Sequence, residues 1–137
     1  MGTTHILSLT YKPKIDAVFS GECKQTIRLW HDKRPKRPGD KLILHTWQGR
    51  PYHSKWGKRL NVIIKDVCLL RFDDDITYPR IFSFTNIIWV NTDEQTLVNI
   101  AKDDHIALPS GSMLKAVLRS LNNLNTLEGT TWEIINW

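Results

Sequence analysis

Residues 21–30 read GECKQTIRLW, and the placement of this stretch decides how the rest of the chain is read. A glycine and three polar residues lead into a β-favouring run. A strand's period of two puts Lys24, Thr26, Arg28 and Trp30 on one face and Gln25, Ile27 and Leu29 on the other. Ile27 and Leu29 turn inward on this reading, which gathers a hydroxyl between two cations on the opposite side. That face is either solvated or a site.

Working outward, His5 to Leu9 reads as a short strand. Pro13 opens a brief helix, PKIDAVFS, with Gly21 at the C-terminal stop. HDKRPKRPGD after Trp30 holds two prolines, the second in a Pro-Gly pair, so it is a loop. Lys41 to Trp47 is a strand, and Gln48 to Arg59 a polar loop dotted with aromatics. Asn61 to Phe72 reads as one long strand, and Tyr78 to Val90 as one or two more beyond an acidic turn. Thr92 or Asp93 caps a helix through about Lys102. Ser110 or Ser112 caps another, in which Met113, Val117, Leu118 and Leu121 form a core stripe. TTWEIINW is the final strand. This order predicts an α+β fold around a small, curved, partly closed sheet, with residues 1–137 as one domain.

The chain carries 19 Lys and Arg against 14 Asp and Glu, a net +5. Its charge is localised. Between Lys24 and Arg59 stand 11 bases and 2 acids, an excess of nine, so the remainder is net acidic. Such a footprint suits phosphate or nucleic acid. Within it, Arg50, Lys55, Lys58 and Arg59 interleave with Tyr52, His53 and Trp56. Cations that track a backbone beside aromatic faces that stack on bases suit single-stranded or looped nucleic acid. A solvated loop with one aromatic tucked into the core is the plainer alternative.

Cys23 and Cys68 have neither metal spacing nor a disulfide framework, which points to a reducing compartment. Cys23 beside Lys24 is a conceivable nucleophile, although a half-buried turn cysteine is the commoner case. His5, His31, His45, His53 and His105 show no ligand spacing, so neither metal nor cofactor is expected. The short apolar run at the N-terminus suits neither a signal peptide nor a membrane span, and a cytoplasmic protein is expected.

The order of these pieces resembles the ASCH domain, a member of the PUA-like group of small β-barrels. The resemblance is carried by ILSL, the helix ending at Gly21, TIR at 26–28, RPGDKLILHTW at 37–47, GRPYHSKWGKRL at 49–60 and AKDDHIAL near the late helix. It implies a curved barrel of about five to seven strands, with one short early helix and two later ones. The family's signature is a glycine, then a lysine two places on, a threonine three beyond it and an arginine after one more residue. Gly21, Thr26 and Arg28 match it. Cys23 stands at the lysine place, with Lys24 next to it.

Some ASCH-like proteins are amidohydrolases of acetylated cytidine, using that lysine, that threonine and a late carboxylate. The carboxylate place falls on Asp104, where the family has glutamate. The first expectation is an RNA- or nucleotide-binding module, with Arg28, Arg50, Tyr52, Lys55, Trp56, Lys58 and Arg59 as the ligand-binding set. Its partner would be RNA, another single-stranded nucleic acid or a nucleoside, and not a membrane. The alternative is the amidohydrolase, with Thr26 as nucleophile, Lys24 as base and Asp104 as orienting acid; a nuclease, or a domain that binds an acidic protein, stands behind both.

Overall fold

The structure is a computed structural model that describes residues 3–30, 35–74, 78–83, 87–106 and 109–137. Lys33 and Arg34 of the basic segment, His31 and part of the acidic turn lie outside the described residues. Along the chain run β1 (Thr4–Ser8), α1 (Lys12–Ser20), β2 (Gln25–Leu29), β3 (Lys41–Trp47), β4 (Trp56–Ile63) and β5 (Asp66–Phe72). There follow β6 (Arg80–Ser83), β7 (Ile88–Asn91), α2 (Glu94–Asp103), α3 (Gly111–Leu121) and β8 (Thr130–Asn136). The chain is α+β, with one early helix and two late ones.

Among the described residues the strands form two sheets rather than one closed barrel. A three-stranded sheet runs β1-β3-β4, with β1 parallel to β3; a five-stranded antiparallel sheet runs β2-β8-β5-β6-β7. Strand β8 is the spine. Trp132 and Ile134 pack with Phe72, Leu70, Leu97 and Leu114 in the core under α2 and α3. Ile135 points the opposite way, to Leu42, Leu44, Ile64 and Val18 in the core shared with α1 and the smaller sheet. Burial on both faces explains why TTWEIINW is apolar at successive positions rather than alternating.

Local chemistry sets the helix ends. Gly21 takes a left-handed φ of 86° to stop α1. Asp93 is the cap of α2, accepting from the Thr96 amide at 2.8 Å, and Ser110 caps α3 by accepting from the Met113 amide at 3.0 Å. Glu94 in the first turn of α2 also accepts from the Gly111 amide at 2.8 Å, which joins the starts of the two helices.

Two strand expectations are corrected. Residues 61–72 are not one strand: the chain breaks at Ile64 and Lys65, where Ile64 drops into the core and the backbone passes between sheets. The Gly39 amide donates to the Ile64 carbonyl at 2.8 Å, and the Ile64 amide donates to the Asp40 carbonyl at 2.9 Å. The expected loop, conversely, ends early. Residues 56–59 are strand because β3 offers a ladder for them to pair with, and tertiary pairing overrides a polar local sequence.

Candidate functional site

Strand β2 lies at the edge of the five-stranded sheet. Thr26 is 2% exposed and Ile27 on the other face is buried too, so neither side is solvated. Thr26 and Arg28 stand opposite Ile135 and Glu133 in the β8 register. Arg28 Nε donates to Thr26 Oγ1 at 3.3 Å, and a second guanidinium nitrogen donates to the Ser8 carbonyl. A cation donating to a hydroxyl oxygen favours the ionised hydroxyl, which is how a threonine gains nucleophilicity.

The carboxylate partner comes from α2 and the amine from α1. Lys14 Nζ donates to Asp104 Oδ1 at 2.6 Å, with the two residues only 5% and 6% exposed. Each charge sits at the unfavourable end of its helix. Lys14 is in the first turn of α1, where the dipole is positive, and Asp104 caps the C-terminus of α2, where it is negative. Burial lowers the pKa of Lys14 against the pull of Asp104, and burial raises that of Asp104 against the pull of Lys14. Both changes weaken the preference for the ion pair, so this amine gives up its proton more readily than a solvated lysine does and is suited to act as a base. Gln25 Nε2 donates to the Ile100 carbonyl at 3.0 Å and reaches Asp104 Oδ1 at 3.5 Å, which orients the carboxylate.

Lys14, Thr26, Arg28 and Asp104 together line one pocket of about 100 Å³. Its remaining wall mixes apolar side chains, Leu9, Ile27, Val117 and Leu118, with polar ones, Thr10, Tyr11 and Asn122. Burial is also the main cause of the lowered pKa of Arg28, with the charges of Asp104, Tyr52 and Glu133 opposing it. Glu133 is itself fully buried and takes an ion pair from Lys36 at 2.5 Å.

The pocket amine is therefore Lys14 and not Lys24. Lys24 is exposed, precedes β2 rather than belonging to it, and lines a separate depression with Phe19, Val62 and Trp137. The amine beside Thr26 thus comes from α1 rather than from the turn before β2. Cys23 is fully buried, donates to the Gln25 and Asp103 carbonyls, and has its pKa raised by burial. Cys68 is pushed up to about 11, chiefly by burial with Asp66 adding to it. Neither thiol is poised as a nucleophile.

Arg50, Lys55, Lys58 and Arg59 are exposed, as is Tyr52, at 79%. Trp56 is different: His45 stacks on it at 3.9 Å and the Arg59 guanidinium lies 5.7 Å from its ring centre. It is a half-buried packing residue, and Tyr52 is the aromatic that faces solvent. Tyr52 has a left-handed φ of 63° and leans on Trp47, with ring centres 5.1 Å apart. Tyr52 interacts electrostatically with Arg28, which links this loop residue to the pocket.

Sequence reasoning missed Lys14 and Gln25. One signal was available for Lys14, a cation in the first turn of a helix that Pro13 marks. Among the described residues no three His, Cys, Asp or Glu side chains gather as metal ligands, and no helix is long and apolar enough to cross a membrane. No family model, curated protein or solved structure matches the chain.

Proposed function

We propose that the protein is an ASCH-like amidohydrolase of an acylated nucleoside of the 4-acetylcytidine kind, its PUA-like barrel opened into two sheets. The observation that carries this reading is the convergence of Lys14, Thr26, Arg28 and Asp104 on one pocket. In the reaction, Thr26 Oγ1 attacks the amide carbonyl carbon and Lys14, as the neutral amine, takes the hydroxyl proton. Arg28 donates to the carbonyl oxygen as it gains charge. Collapse breaks the C–N bond, and the proton held by the Lys14–Asp104 pair passes to the leaving exocyclic nitrogen. Water then hydrolyses the threonine ester, releasing the carboxylic acid and restoring the hydroxyl.

A second reading, a nucleic-acid-binding module without hydrolysis, is favoured by the exposed cations and Tyr52 on residues 50–59. In the enzyme reading those groups hold the sugar and any flanking phosphates. The separating experiment is chromatography of 4-acetylcytidine incubated with the protein. Cytidine should accumulate with wild type and fall at least about a hundredfold with Thr26→Ala or Lys14→Met, in line with the loss of a nucleophile or general base. If wild type releases no cytidine yet binds the nucleoside or RNA, the module reading replaces the enzyme.

A further inference from the structure

We infer that strand β7 is a docking edge for a second copy of this chain, which pairs with it antiparallel across a two-fold axis at Val90. Strand β7 is the outer strand of the five-stranded sheet, and among the described residues no strand is paired to its far side. Four of the nine large exposed hydrophobics among the described residues are consecutive here, Ile87, Ile88, Trp89 and Val90, each at least 39% exposed. Single exposed hydrophobics are ordinary on a surface. A contiguous run of them on an open sheet edge marks an interface.

The register shows which backbone groups are open. The Thr92 amide donates to the Pro79 carbonyl at 3.2 Å, and along an antiparallel ladder the bonded pairs recur at every second residue. Val90 with Ile81 and Ile88 with Ser83 are therefore the bonded pairs, and the N–H and C=O of Trp89 and Asn91 point away from β6. The side chains divide by face. Val90 stands across from Ile81, which stands across from Leu70 in the core under α2 and α3, so Ile88 and Val90 carry that apolar face outward. Trp89 lies on the other face against Phe82, with ring centres 5.3 Å apart.

Charge decides the occupant. Strand β4, an edge of the smaller sheet, carries Lys58 and Arg59, the kind of side chain that discourages edge pairing. From Ile87 to Thr92 there is no ionisable side chain at all. The nearest cation, Arg80, lies 5.5 Å from the Trp89 ring centre and is already held by both oxygens of Asp73, at 3.0 and 3.1 Å. Two copies with a net charge of +5 each repel in general, but here they meet without like charges facing each other. A charged partner would find no counter-charge on the strand. The pattern is also its own complement. With Val90 facing Val90 on the axis, Trp89 and Asn91 of each copy exchange backbone hydrogen bonds with Asn91 and Trp89 of the other. Ile88 and Val90 of both copies then form one apolar row. An isologous pairing of this kind closes on itself and leaves neither β7 edge open.

The test is sedimentation equilibrium of the full chain over a concentration series, with amide hydrogen exchange read at both ends of it. A short edge pairing lies at the small end of specific interfaces, so the mass should rise from one chain to two with concentration and stop there. Exchange at the Trp89 and Asn91 amides should slow as the dimer fills, while that at Ile88 and Val90, already bonded to β6, should change little. Val90→Lys sets two ammonium groups against each other on the axis and should weaken self-association at least about a hundredfold. Because Val90 is half exposed, the variant should keep its thermal midpoint. Val90→Glu alone should be monomeric as well, and an equimolar mixture of the two variants should dimerise again. A chain that stays monomeric at millimolar concentration would overturn the inference, even if an added strand peptide of another sequence protected the β7 amides. So would a mass that keeps growing past two chains, or a dimer that Val90→Lys leaves intact. Failure of the mixed variants to pair would remove Val90 from the axis and with it the proposed register.

Discussion

Two regions of this molecule concentrate positive charge, and they differ in what surrounds it. Residues 50–59 carry Arg50, Lys55, Lys58 and Arg59 in the open, where water screens them and each costs little to keep or remove. The pocket carries only Lys14 and Arg28, but both are desolvated and every hydrogen bond they make is to a particular atom. The loop has more charge and the pocket has more consequence. A cation's neighbours, more than its count, decide whether it shapes chemistry or only long-range attraction.

The largest test of that contrast is Cys23→Lys, which places a lysine where the ASCH signature carries one. Cys23 is enclosed by protein on every side, and the pocket amine already stands nearby. A second buried ammonium should cost more than about 4 kcal/mol, the exceptional range for one substitution, read as a collapse of the urea midpoint. Retained stability with increased turnover would mean that the turn at 23, not α1, is the natural seat of the base.

Next is Lys14→Met, which leaves the Asp104 carboxylate buried without its partner. A loss of about 3–5 kcal/mol is expected, while Lys14→Met with Asp104→Leu should recover most of it and remain inactive. The deficit should depend on pH. A carboxyl whose folded-state pKa lies above its unfolded value contributes stability that is complete in acid and is lost as pH rises. Asp104 already has a raised pKa, and losing Lys14 raises it further. The single variant should therefore approach wild type at low pH and fall behind it toward neutrality. A deficit that does not vary with pH would break the assignment.

The smallest effect on stability belongs to the loop. Reversing Arg50, Lys55, Lys58 and Arg59 to glutamate should move the unfolding midpoint by no more than about 0.5 kcal/mol per site. It should flatten the salt dependence of RNA binding, whose log–log slope falls by about one for each phosphate that is no longer neutralised. An unchanged slope takes the loop off the binding face.

How much of this is legible in the chain follows from the range of the forces involved. Gly21, Asp93 and Ser110 act within one helical turn, so local reading finds helix ends well. The strand at Trp56–Arg59 exists because β3 lies alongside, and no local signal announces that. Thr26, Arg28 and Asp104 can be marked from the sequence as site candidates. Their amine cannot, because Lys24 is near in sequence and Lys14 is near in space. The half-burial of Trp56 is hidden for the same reason: the ring stacked on it, His45, belongs to another strand.

The register of β2 against β8 also bears on how the protein comes into being. Thr26 pairs with Ile135, so this edge strand waits for residues far along the chain before it has a ladder. Pairings so distant in sequence are slow to form, since the loop between them must close before they are rewarded. On the ribosome, α1 and β2 emerge with Thr26 unpaired, and the wall from α2 and α3 arrives before β8 does. The pocket is thus a late product of folding. A chain stalled short of residue 130 would hold all four of its side chains without the strand that brings them into register.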